Sequence, residues 1–241
     1  MQQRTRTGVS LFALALVVAL VARAGIEIFL SASPWRSIWS GDSPIWYDPT
    51  LSRVLGIVLA GLYAFLALVG SLLIERDRGL AVLPEKGSPD RPRIALAFAI
   101  FAGMTVSGLD LYLYPEYGTN QSSLWVLRYF LEAGIAIGVG LYFFWTALRL
   151  GAPLARRLGL YALGLGVTAG IFGPLSSALL IWGPVGGIEG NRPFYDTVAA
   201  LSVAGLLAGF ASLALWLMVF LRTRANIRSS PVLVERGELR A

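Results

Sequence analysis

The chain of 241 residues is 56% hydrophobic and only 14% charged, with a mean hydropathy of +0.68. Soluble domains carry about 25% charged residues, so this composition excludes one and points to a single helical membrane domain. Cysteine and histidine are both absent, which excludes disulfides, thiol chemistry, the usual zinc sites, haem held by either residue and any histidine proton relay.

The formal charge is +6 and the pI about 10. The basic residues collect in alternate connections, which is a signal of topology rather than of nucleic-acid binding. A bilayer core takes about 20 apolar residues as helix, and six stretches qualify: 9–30, 51–74, 94–114, 124–150, 158–182 and 193–221. The predicted fold is an all-α bundle of six membrane-spanning helices, followed by a basic tail at 222–241.

The first stretch follows Arg4 and Arg6 and carries Arg23 and Glu27, four residues apart. Its start and its Ala22-Arg23-Ala24 resemble a cleaved signal peptide. The apolar run continues past that point, which favours a retained helix. The loop after it, SASPWRSIWSGDSPIWYDPT, holds two Ser-Pro steps and the aromatics Trp35, Trp39, Trp46 and Tyr47. The expectation is a short segment lying in the membrane interface, with these four rings at headgroup level or docking a partner. Asp48-Pro49 reads as the N-cap and first turn of the second helix, and Arg53 follows within that turn.

The third stretch is the shortest and carries Asp110 near its end; the fourth carries Arg128 and Glu132, again four apart. The fifth contains Gly173-Pro174, where proline removes a helical hydrogen bond and favours a kink. The glycine-rich GPVGGIEGNRPFYD before the sixth lacks a Walker pattern and reads as a turn, with Asp196 in the first turn of the next helix. Small residues recur every four positions in the sixth (Ala200, Ala204, Ala208, Ser212), the fifth (Ala162, Gly166, Gly170) and the second (Gly56, Ala60, Ala64). Such ladders let helices approach closely, within the chain or against another subunit.

Fifteen of the 20 basic residues fall in the N-terminal segment, the second–third and fourth–fifth connections and the tail. By the positive-inside rule both termini lie in the cytoplasm, and the chain is a multi-pass protein of the cytoplasmic membrane.

Charges within a bilayer are costly, so Arg23, Glu27, Asp110, Arg128 and Glu132 are the candidate functional residues. At about 1.5 Å of rise per residue, Glu27 lies ~5 Å and Arg23 ~11 Å below the outer boundary, Arg128 ~6 Å and Glu132 ~12 Å. The two helices run in opposite directions, so Arg23 shares a level with Glu132, and Glu27 with Arg128. If adjacent, they form a neutral box, and the i,i+4 spacing also permits a pair within each helix. Asp110 is the carboxylate left over. Arg53 and Asp196 support the network nearer the surface.

Three functions fit these residues. The leading expectation is an integral subunit of a larger membrane complex with a structural role, stabilised by the charge network. Its partners would be the lipid bilayer and other membrane subunits, or further copies of the chain. A small-solute or proton-coupled transporter with an outward-facing polar pocket is the first alternative. A membrane enzyme binding lipid or quinone is the second; no cofactor is expected beyond such a bound lipid or quinone, since the composition excludes those held covalently or by His or Cys.

Overall fold

A computed structural model describes residues 2–25, 38–39, 49–75, 91–113, 122–150, 155–184 and 187–229. These residues form helices and no strand: α1 (Gln2–Gly25), α2 (Pro49–Glu75), α3 (Arg91–Leu113), α4 (Ser122–Arg149), α5 (Ala155–Ile181), the one-turn α6 (Gly187–Gly190) and α7 (Arg192–Ser229). The six long helices fall on the six apolar stretches, with different ends. α1 begins at Gln2 and α7 continues to Ser229, so Arg4, Arg6, Arg222 and Arg224 are helical. Hydropathy marks only the part of a helix that suits lipid, whereas the backbone hydrogen-bond ladder runs on into polar sequence of adequate helix propensity. The last loop, read as a turn, contains the single helical turn α6.

Four helical segments are long and apolar enough to cross a membrane: Gln3–Gly25, Leu127–Arg149, Arg156–Leu180 and Arg192–Ile227. Among the described residues, α2 and α3 contribute shorter apolar runs, Val58–Ile74 and Ile94–Val106. The outward faces are made of large apolar side chains: Phe101 is 69% exposed, Met104 71% and Phe130 73%. A soluble fold would cover a surface of this kind, and a bilayer solvates it.

The helices stand side by side in the order α2–α1–α7–α5–α4–α3. α5 and α7 share the largest interface, α1 packs on α2 and α7, and α4 on α3 and α5. α2 and α3 are the two edges. Lipid tails are as apolar as leucine, so close packing, not expulsion of water, holds such neighbours together. The α1–α2 crossing is the tightest case: a Cβ on Gly8 would lie 2.6 Å from the Gly70 carbonyl oxygen, and a Cβ on Gly70 2.9 Å from that of Gly8. On α7, Ser212 donates its hydroxyl to the Ala162 carbonyl of α5 at 2.7 Å. The small-residue ladders of α5 and α7 thus meet at Ala162, Gly166 and Ser212, whereas Gly170 of α5 packs against Ala133 and Ala136 of α4. α5 remains helical through Pro174, and the Gly173 carbonyl there accepts the Ser176 hydroxyl at 2.7 Å.

One aromatic cluster joins α4 to α1, α2 and α7. The Phe143 ring of α4 meets Phe12 of α1, Tyr63 of α2, and Trp216 and Phe220 of α7, at centroid separations of 5.4 to 6.5 Å. It lies in the half of the fold nearer Arg4, Arg149 and Arg222, hereafter the arginine-rich end. In α1 the last buried residue is Leu16, and in α4 the buried positions begin at Gly138. Beyond those points, toward the opposite end, the described residues of both helices are half-buried or exposed, whereas α7 keeps buried positions along its whole length. α1 and α4 are therefore joined at one half and loosely packed at the other.

Candidate functional site

The loosely packed half carries the charges. Phe12 and Phe143 set the level of α1 against α4. Eleven residues along α1 from Phe12 stands Arg23, and eleven back along α4 from Phe143 stands Glu132, so the two helices carry these residues to the same depth.

Within α4, Arg128 and Glu132 form an ion pair at 3.0 Å, with 15% and 32% of their side chains exposed. The Arg128 guanidinium also lies over the Tyr129 ring, 5.6 Å from its centroid. The spacing of one helical turn puts both side chains on one face, and the ring adds a cation–π contact to the pair.

Arg23 is held by a feature that hydropathy and charge spacing do not reveal. Its guanidinium rests on α7 where there is no side chain: a Cβ at Gly209 would come within 2.6 to 2.8 Å of its Nη1, Cζ and Nη2. The neighbouring Phe210 ring lies 6.0 Å away. Gly209 is thus a socket for a flat cation in an otherwise apolar helix. A testable sign reversal follows. Gly209→Ala is expected to destabilise the wild-type protein, because the methyl group displaces the guanidinium. In an Arg23→Ala background the same change is expected to be neutral or stabilising by up to about 1 kcal/mol, the ordinary gain from replacing a helical glycine. A double-mutant cycle on thermal melts measures the difference, and the same sign in both backgrounds would refute the socket.

A second polar group sits at the end away from the arginines. Asp196 of α7 takes the Arg192 Nε at 3.1 Å on one oxygen, and the same oxygen accepts the Trp39 indole N–H at 3.1 Å. Arg192 also donates to the Ile38 carbonyl at 3.4 Å. Ile38 is helical and buried among Tyr195, Val198 and Ala199. The structure thereby joins two residues singled out in sequence, Trp39 and Asp196. It adds two that were not, Ile38 and Arg192. The i,i+4 spacing of Arg192 and Asp196 in the first turn of α7 was the available signal for the second of these.

Glu27, Trp35, Trp46 and Tyr47 lie outside the described residues. Arg53 and Asp110 lie on α2 and α3, with side chains outside the described set. The backbone register is informative for Asp110. Gly138 of α4 faces Ala95 and Ala99 of α3, and following the antiparallel pair from there carries Asp110 ~4.5 Å past the level of Arg128 toward the helix ends.

Among the described residues no cluster of acidic side chains could hold a metal ion. The ion pairs Arg128–Glu132 and Arg192–Asp196 each lie within one helix, and Arg23 reaches from α1 to the Gly209 socket of α7. The class of protein so defined is an all-helical membrane protein, with the Arg128–Glu132 pair in one of its four helices long and apolar enough to cross a bilayer. Comparison with protein-family models, with curated proteins and with solved structures gives no match.

Proposed function

We propose that the chain is an integral subunit of a larger membrane assembly, crossing the bilayer six times with both termini in the cytoplasm. Its helices are stabilised by the charge network that includes Arg23, Arg128 and Glu132. The observation that carries the reading is the face that α2 leaves open among the described residues. Ala60 and Ala64 are exposed, a Cβ on Gly61 would meet nothing within 4 Å, and Val58, Leu62, Phe65 and Leu68 stand around them. Elsewhere in the fold, close approaches of this kind are made at small residues, as at Gly8–Gly70 and Ser212–Ala162. A second membrane helix fits the α2 face by the same packing rule.

The chain has no cysteine, which makes the test direct. Ala60→Cys and Ala64→Cys, one at a time, are expected to cross-link in membranes to one reproducible partner. That partner is either a second copy or another membrane subunit, and it co-purifies in mild detergent. A stable monomer that gives no cross-link and alone supports an activity would end this reading.

The loose packing of α1 and α4 around Arg23, Arg128 and Glu132 supports a second reading, a transporter with a polar pocket open at that half. Lipid or quinone binding would use the same opening. Asp110→Asn abolishes uptake in the transporter reading while leaving the fold intact, and unchanged uptake in that variant counts decisively against it.

A further inference from the structure

The end of the bundle opposite the Arg23–Glu132 level carries several exposed arginines, and the packing sets their level along the helix axes. Gly159 of α5 faces both Phe144 of α4 and Trp216 of α7, with 3.1 and 3.4 Å to a Cβ built there. The three helices are therefore in register at that point. Counting outward from it, Arg157 and Arg156 stand ~3 and ~4.5 Å further along α5, Arg149 ~7.5 Å along α4 and Arg222 ~9 Å along α7. All four side chains are exposed. Arg224 lies half a turn further along α7. The acidic residue that the described helices place at this end is Glu75, the last residue of α2, on the far side of α1 and α7.

The group is cationic, lies at the ends of three membrane-embedded helices, and is arginine throughout in a chain with a single lysine, Lys86. A guanidinium presents a rigid fork of donors that matches two oxygens of a phosphate, and it is less strongly hydrated than an ammonium. Basic groups just beyond the hydrocarbon are drawn to anionic lipids, and pockets between helices at that level take phosphate headgroups.

We propose that Arg149, Arg156, Arg157 and Arg222, at the joined ends of α4, α5 and α7, form a binding site for the phosphodiester headgroup of an anionic phospholipid from the leaflet at that end. The site is independent of the subunit reading, since it needs no second protein.

The test is lipid retention. The full chain is placed in nanodiscs of phosphatidylcholine mixed with phosphatidylglycerol, released, and examined by native mass spectrometry. Phosphatidylglycerol is expected to remain bound in preference to phosphatidylcholine, and the preference falls as salt is raised. Arg156→Gln/Arg157→Gln/Arg222→Gln is expected to weaken that preference on the order of 100-fold. The corresponding triple lysine variant, which keeps the charge, retains a preference between the two. Equal retention of both lipids by the wild type overturns the proposal, and so does an unchanged preference in the glutamine variant. Inorganic phosphate that displaces the retained phosphatidylglycerol at equal concentration would assign the site to a free anion and overturn the lipid source. If the glutamine variant does not fold, the lipid preference of the wild type and its salt dependence decide.

Discussion

Phe143→Ala is expected to cost about 2–3 kcal/mol and to loosen the bundle as a whole. In a soluble core the loss for such a change is about 3–5 kcal/mol, part of it for returning the ring to water. Here the separated helices leave the ring in lipid, so what remains is lost packing and the cavity. The effect reaches four helices because one ring touches α1, α2 and α7 from α4, through Phe12, Tyr63, Trp216 and Phe220. Three of those rings, Phe12, Trp216 and Phe220, keep other aromatic neighbours. Phe12 still meets Phe220 at 5.2 Å and Trp216 still meets Phe220 at 6.3 Å, so the fold survives in weakened form. The measurement is the thermal or denaturant midpoint in detergent micelles, read by near-ultraviolet circular dichroism. A midpoint equal to that of the wild type would show that the α2–α1–α7 side and α4 are not joined through this ring. Leu160→Ala, at an exposed position of α5, is the control and is expected to move it little.

Gly70→Val has the second large effect, about 3 kcal/mol or more, at the upper end of what overpacking costs. The added Cβ would stand 2.9 Å from the Gly8 carbonyl oxygen and 3.2 Å from the Phe12 ring. A backbone oxygen cannot swing aside as a flexible side chain can, so α1 and α2 must separate along their length. The consequence reaches the aromatic cluster, because Phe12 belongs to both contacts. Gly61→Val on the same helix gives the internal comparison. No described atom stands within 4 Å of a Cβ there, so in the isolated chain, with no helix docked on the α2 face, the identical change is expected to alter stability by no more than about 0.5 kcal/mol, the range of surface substitutions. Equal effects at positions 61 and 70 would show that valine acts through helix propensity and not through the α1–α2 contact.

The helix positions were legible because hydropathy is a one-dimensional property: each long helix overlaps an apolar run that can be read from the residues alone. Their ends were not, since Arg4, Arg6, Arg222 and Arg224 interrupt the hydropathy without interrupting backbone hydrogen bonds. The pairing of Arg128 with Glu132 lay in the spacing, because a helix puts residues four apart on one face. The docking of Trp39 on Asp196 did not. The two residues are 157 positions apart, and nothing local to either selects the other.

Arg23 draws the division most sharply. Its charge, its place in an apolar helix and its depth relative to Glu132 follow from the order of residues, because rise per residue and antiparallel direction are fixed by the backbone. Its socket depends on α7 lying beside α1 at Gly209, a neighbour relation among helices that share the same lipid-like composition. By itself, then, the sequence determines that this is a helical membrane protein, that its arginines gather at one end and that a few charges stand at set heights along their helices. Only the tertiary structure decides which helices touch, and so which glycine faces a guanidinium and which a backbone carbonyl. The physical reason is that apolar helices in lipid are told apart by shape at the point of contact, and shape is a property of two surfaces at once.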